Sequence, residues 1–204
     1  MPVRKSFLRC ILFVVALLQS YVAGAQTPKL VFVIVHGAWG GSWAFKKADS
    51  LLTEKGCIVY RPSLTGQGER VHLANTGVGL QTHIKDVVNM ILYEDLHDIV
   101  LVGHSYGGMV VTGVADSLPD RIKKLIYLDA FVPADGESLA SIGGGRGFER
   151  MAKDGFLVPS WVRADAKPPK DVPHPIKTLT DTLHLKNKSL SFPVTYMLTV
   201  DPGK

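Results

Sequence analysis

Ser105 has the neighbours that covalent chemistry needs. It sits at the centre of Gly103-His104-Ser105-Tyr106-Gly107, between the apolar run 99–102 and a helical stretch that starts at Tyr106. A serine hydroxyl is a weak nucleophile unless a sharp turn exposes it beside a base. The flanking glycines permit that turn, because a Cβ at 103 or 107 would collide with neighbouring strand and helix backbone. The helix start adds a second effect. The Tyr106 amide is unpaired at a helix N-terminus and aimed where an oxyanion would develop. A tight strand-to-helix turn with a serine cap would use the same residue types and do no chemistry.

An oxyanion also needs a second donor, usually from the loop after the first strand. His36-Gly37-Ala38-Trp39-Gly40-Gly41 follows Val35 directly. Gly37 lets the backbone approach closely, so the Ala38 amide is the candidate donor, and one such donor is worth ~3 kcal/mol of transition-state stabilisation. A glycine-rich turn serving only chain reversal is the alternative.

These residues require a scaffold, and the hydrophobic pattern supplies one. The run 30–35 (LVFVIV) reads as a strand covered on both faces. A helix is expected over 42–55, stopped by Gly56, then a short strand at 57–60 and a loop over 62–79. Ile84, Val87, Val88, Ile91 and Leu92 have helical spacing within 81–96. A buried strand at 99–102, a helix over 106–118 ended by Pro119, and a strand at 124–128 follow. Strand and helix alternate with short connections, which predicts an α/β fold: a mostly parallel sheet with helices on both faces. The composition then shifts. A glycine cluster at 143–147 reads as loop, and 159–193 holds six of the 12 prolines, which makes 134–192 an excursion over the sheet before a strand at 192–200.

The chain has 204 residues, 46% of them hydrophobic and 20% charged, which excludes wholesale disorder. Its formal charge of +5 is local. Arg4, Lys5 and Arg9 fall in the first 25 residues, which contain no Asp or Glu; without them 20 basic side chains face 18 acidic ones. That balance implies no nucleic-acid partner. Residues 1–25 form an export signal: a basic start, the apolar run 10–18, and Ala23-Gly24-Ala25 as a small-x-small cleavage site. Nine apolar residues are too few for the ~20 that cross a bilayer, so no membrane association is expected after cleavage. The mature chain, 26–204, would be secreted or periplasmic. It would keep Cys57 alone, a position that reads as core filling, with no intramolecular disulfide. No His/Cys cluster has metal spacing and no glycine loop has dinucleotide context, so no cofactor is expected.

Four segments in order, Val35-His36-Gly37-Ala38-Trp39, Leu64-Thr65-Gly66-Gln67-Gly68-Glu69-Arg70, Val102-Gly103-His104-Ser105-Tyr106-Gly107-Gly108 and Tyr127-Leu128-Asp129-Ala130-Phe131-Val132-Pro133, resemble the α/β-hydrolase fold. They are similar in particular to its branch of small bacterial esterases, plant methylesterases and hydroxynitrile lyases. The resemblance runs from about Leu30 to the end of the chain. It implies a Ser-His-Asp hydrolase of small esters, with a cap over the pocket at about 134–192 and no cofactor. An apolar cap favours an uncharged or aromatic ester.

The pattern breaks at its end. The triad order in this fold is Ser, then Asp or Glu, then His. A His loop is expected after one more helix and strand, roughly 30 residues, but the sequence stops at Lys204. Truncation is the simpler reading, and a degenerate hydrolase the other. None of the seven histidines substitutes. His36 begins the oxyanion loop, His104 should point away from the pocket, His72 and His83 precede the elbow, His97 lies at the far end of its strand, and His174 and His184 lie in the cap. Asp201, at the carboxyl end of strand 192–200, is the candidate acid. Asp129 is the alternative, or else a carboxylate capping the loop 130–133. Glu69 and Arg70 read as a loop-ordering pair. Two other functions stay open. A hydroxynitrile lyase would usually carry Thr where Gly37 stands, and a non-catalytic small-molecule binder would keep the pocket without the base. No feature fixes an oligomeric state.

Overall fold

The computed structural model describes residues 29–143, 147–187 and 190–200. The expected export signal, Asp201 and most of the glycine cluster lie outside the described residues. Strands β1 (Val31–Val35), β2 (Ile58–Tyr60), β3 (Ile99–His104), β4 (Ile122–Leu128) and β7 (Val194–Met197) form one five-stranded sheet in the order β2-β1-β3-β4-β7. Every pairing in it is parallel. A small antiparallel pair, β5 (Phe156–Leu157) and β6 (His174–Pro175), lies in the segment between β4 and β7.

The strand side chains alternate between two apolar layers, as a two-residue repeat requires. Val33, Val35, Leu101, Leu125 and Tyr127 face the larger layer with Leu80, Ile84 and Val87 of α2 (Leu80–Tyr93) and Met109, Val110 and Val114 of α3 (Gly107–Ser117). Ile34, Val100, Val102 and Ile126 face the smaller layer, where Leu52 of α1 (Lys46–Glu54) and Phe45 pack. Helices therefore cover both faces, as expected. Glycine at 113 lets α2 and α3 close together, since a Cβ there would overlap Ile84 Cδ1. Between β4 and β7 come α4 (Leu139–Ile142), α5 (Gly147–Met151) and α6 (Lys177–Thr180).

The single helix expected over 42–55 is two pieces: a 3-10 turn at Ser42–Phe45 and then α1. Competing partners explain the break. Ser42 N–H donates to the Ser63 hydroxyl at 2.7 Å, and Ser42 C=O accepts from Arg61 at 3.0 Å. The expected loop over 62–79 also contains a 3-10 turn, Gly68–Leu73. The strand expected over 192–200 is shorter; β7 pairs with 125–128 at the sheet's edge, and Val194 and Tyr196 stay about half exposed. Cys57 lies just before β2 and is half-buried rather than core filling.

Candidate active site

The strand order creates the crevice. From β1 the chain moves outward to β2 and then crosses back to β3, so the loops leaving β1 and β3 diverge at the carboxyl ends of the strands. That switch point is where parallel sheets take ligands. Three non-glycine residues with left-handed backbone stand along this edge: Trp39 after β1 (φ 64°), Ser105 after β3 (φ 52°) and Asp129 after β4 (φ 43°). Each conformation costs on the order of 1 kcal/mol or more and persists only where surrounding contacts over-determine it.

At Ser105 those contacts are backbone ones. Its C=O accepts from Gly108 N–H at 3.0 Å and Phe131 N–H at 3.1 Å. The glycines carry the steric role expected of them. A Cβ on Gly103 would lie 2.5 Å from Val111 Cγ2 and 2.7 Å from Gly107 O, and one on Gly107 would lie 2.6 Å from Val35 O. On Gly108 it would run into Phe131 O. A Cβ on Gly37 would sit 3.1 Å from the Ser105 Cβ, so the loop after β1 lies directly against the serine. Among the described residues, neither the Ala38 nor the Tyr106 N–H donates to a protein acceptor. A half-buried serine thus stands next to Tyr106 in sequence and against the loop that holds Ala38, two residues whose amides have no protein acceptor among the described residues.

No imidazole among the described residues hydrogen-bonds the Ser105 hydroxyl. His36 is buried; its Nδ1 donates to Gly37 O at 2.7 Å and its Nε2 accepts from Leu64 N–H at 3.1 Å, which ties the Gly37 loop to the loop after β2. Burial lowers its pKa to about 4. His104 is half-buried with its ring edge-on to Phe45 at 5.8 Å, on the side of the smaller core layer. Burial lowers its pKa too, opposed by the charge of Asp129. His97 lies beside Asp95, and His184 is 4.0 Å from Asp135.

Two expectations about carboxylates need correction. Asp129 does not cap the loop 130–133: it accepts from the backbone N–H of Thr199 at 2.9 Å and from the Thr199 hydroxyl, which clasps the chain beyond β7. Those two bonds hold its carboxyl below the usual range. Glu69 and Arg70 do order their loop, but not as a pair. Glu69 accepts from Ser63 at 2.7 Å, whereas Arg70 lies 3.5 Å from Asp86 and donates to Ser63 O and Thr65 Oγ1.

The structure also assembles a buried polar group that sequence reasoning missed. His83 Nδ1 lies 2.9 Å from the Tyr106 hydroxyl, and its Nε2 donates to Thr65 O at 2.9 Å. His174, fully buried, has Gln67 Oε1 3.0 Å and the Trp39 N–H 3.3 Å from Nδ1, and Thr178 Oγ1 2.7 Å from Nε2. Burial lowers the pKa of His83 to about 4 and holds that of His174 well below its ordinary value. One signal for His83 was available: it falls on the apolar stripe of Leu80, Ile84, Val87 and Ile91, where a polar side chain needs a buried partner. A cavity of about 650 Å³ is walled by Trp43, Val71, Pro168 and Val172; Ser105 is not in its lining.

Residues 32–198 match the alpha/beta hydrolase family. The chain belongs to that family. The carbendazim hydrolyzing esterase of Nocardioides sp. strain SG-4G is 51% identical to it over 111 residues, 54% of this chain and 46% of that one. The pheophorbidase of Raphanus sativus is 36% identical over 110 residues, 52% of this chain and 41% of that one. The alpha/beta hydrolase thus spans less than half the length of these two curated relatives. Among solved structures, an extracellular alpha/beta-hydrolase from a Paenibacillus species, described as sharing structural and functional homology with tobacco salicylic acid binding protein 2, superposes with a TM-score of 0.74 at 30% identity, over 83% of this chain and 77% of that one.

Proposed function

We propose that this alpha/beta hydrolase cleaves small carboxylic esters through Ser105. The observation that carries the reading is a serine in left-handed backbone at the switch point, flanked by the two unpaired amides of Ala38 and Tyr106. In this reading the Ser105 oxygen attacks the ester carbonyl, and the electron pair displaced onto the carbonyl oxygen is held by the two amides. The serine proton passes to a base and then to the departing alcohol, and water releases the acyl group by the same steps in reverse. The base is an imidazole that none of the described histidines supplies, since each that bonds does so elsewhere. Asp201 is the preferred acid, because the carboxylate of Asp129 is already engaged by Thr199. Relatives named for hydrolysing carbendazim and as a pheophorbidase support a neutral or aromatic ester. The basic, apolar, small-x-small pattern of residues 1–25 supports export, as does the extracellular origin of the Paenibacillus protein.

The absence of an imidazole at Ser105 among the described residues favours one other reading, a binder that holds a small molecule without turning it over. Hydrolysis of a panel of neutral aryl and alkyl esters, lost in Ser105→Ala, is the result expected of the enzyme. A ligand that raises the melting temperature and is recovered intact would instead establish the binder.

A further inference from the structure

Trp39 holds a strained backbone in the very loop that offers the Ala38 amide, and every anchor that fixes it comes from one segment. Its C=O accepts from Val172 N–H at 2.9 Å, its indole N–H donates to Leu157 O at 3.0 Å, and its backbone N–H faces His174 Nδ1. The same imidazole stands edge-on to the Tyr106 ring, with centroids 5.0 Å apart. Tyr106 is fully buried, and its hydroxyl is taken up by His83. His174 therefore touches Tyr106, one candidate oxyanion donor, and Trp39, the neighbour of the other, although it lies about 70 residues beyond the elbow in sequence.

We infer that His174 is a positioning residue, which holds the Ala38–Trp39 loop and the Tyr106 elbow in one geometry from the segment between β4 and β7. This rests on the esterase reading above. The ring is well placed for the task. Thr178 Oγ1 receives Nε2 at 2.7 Å and passes its own hydrogen to Pro175 O at 2.8 Å, so the imidazole is pinned on its far side. With that hydrogen on Nε2, Nδ1 is left to accept the Trp39 N–H; donating to Gln67 Oε1 would need the opposite tautomer, in which Thr178 gives its hydrogen to Nε2 and not to Pro175 O. Gln67 is itself bound to the segment through Pro173 O at 3.2 Å. Through the Trp39 N–H the ring ties β6 to the loop that lies against Ser105. A misplacement of about 1 Å at such a donor costs on the order of 100-fold in rate.

The test uses protein made from the complete source reading frame, with three substitutions at one position. His174→Phe keeps a ring and removes both nitrogens; His174→Asn restores polar atoms near the place of Nδ1; His174→Gln places them near Nε2. On a neutral aryl ester, His174→Phe is expected to lower kcat at least ~10-fold with KM within about two-fold. His174→Asn recovers most of that loss and His174→Gln does not. Equal kcat in the Phe and Asn variants, or a loss confined to KM, overturns the inference. Hydrogen exchange supplies an arm independent of turnover. His174→Phe should raise exchange at least ~10-fold in peptides covering 36–41 and 103–108 and leave α1 unchanged, with Asn restoring protection. Unchanged exchange in both peptides also overturns the inference. If the unsubstituted protein hydrolyses no ester, the esterase reading fails, and exchange alone decides the role of His174.

Discussion

Gly107 shows how little freedom the candidate site has at the scale of one residue. Its missing side chain is what lets α3 start against β1, because a Cβ would meet Val35 O at 2.6 Å and His36 O at 2.8 Å. Both obstacles are backbone, so neither can swing aside. Gly107→Ala should therefore lower unfolding free energy by about 2–3 kcal/mol. Gly147→Ala is the control: nothing among the described residues lies within 4 Å of the Cβ it would add, and a change within about 0.5 kcal/mol is expected. Urea midpoints of the two variants against the parent check this, and equal midpoints would contradict the steric account of the elbow. The glycine pattern was legible in the sequence because steric need leaves a residue-type signature. The left-handed backbone of Trp39 was not, since its anchors on Leu157, Val172 and His174 lie more than 110 residues away.

Elements show the same division between local and distant causes. The main strands could be read from their short apolar runs and the amphipathic α2 from its helical spacing, because these signals lie in the element's own residues. The broken helix at 42–54 could not, as the break is made by Ser63 and Arg61 on another segment. Nor could the clasp between β4 and β7. Parallel pairing joins 125–128 to 194–197, and beyond that register Asp129 takes both the amide and the hydroxyl of Thr199. Asp129→Ala should free the end of β7, raising hydrogen exchange of 194–200 several-fold and lowering overall stability slightly. Asp129→Asn keeps an acceptor for the Thr199 amide and should loosen the strand less. Exchange in β7 that is indifferent to both variants would mean that the strand pairing needs no clasp.

For the whole molecule, the buried histidines set an acid limit. His36 and His83 each have a pKa lowered by burial to about 4, and each returns to about 6.5 when the chain unfolds. Between those values the unfolded chain binds more protons than the folded one, so acid favours unfolding. Stability should be intact above about pH 6.5, fall as pH drops toward 4 by roughly 3 kcal/mol per histidine, and gain no further loss from these two groups below that. Asp49, held low by its bond to Arg61, and Asp129, held low by Thr199, extend the decline below pH 4, where their carboxylates take up protons. Urea midpoints measured from pH 7.5 to 4.5 test the sign, and a flat profile would show that the imidazoles are hydrated in solution. The reactivity proposed for Ser105 depends on the strained turn at the β1/β3 switch point. It is tested most directly by treating the protein made from its complete reading frame with a neutral fluorophosphonate and mapping the adduct by mass. A single adduct on the peptide holding Ser105, lost in Ser105→Ala while labelling elsewhere stays absent, is the predicted result. An unmodified Ser105 in a folded protein, or an adduct that survives Ser105→Ala, would contradict it.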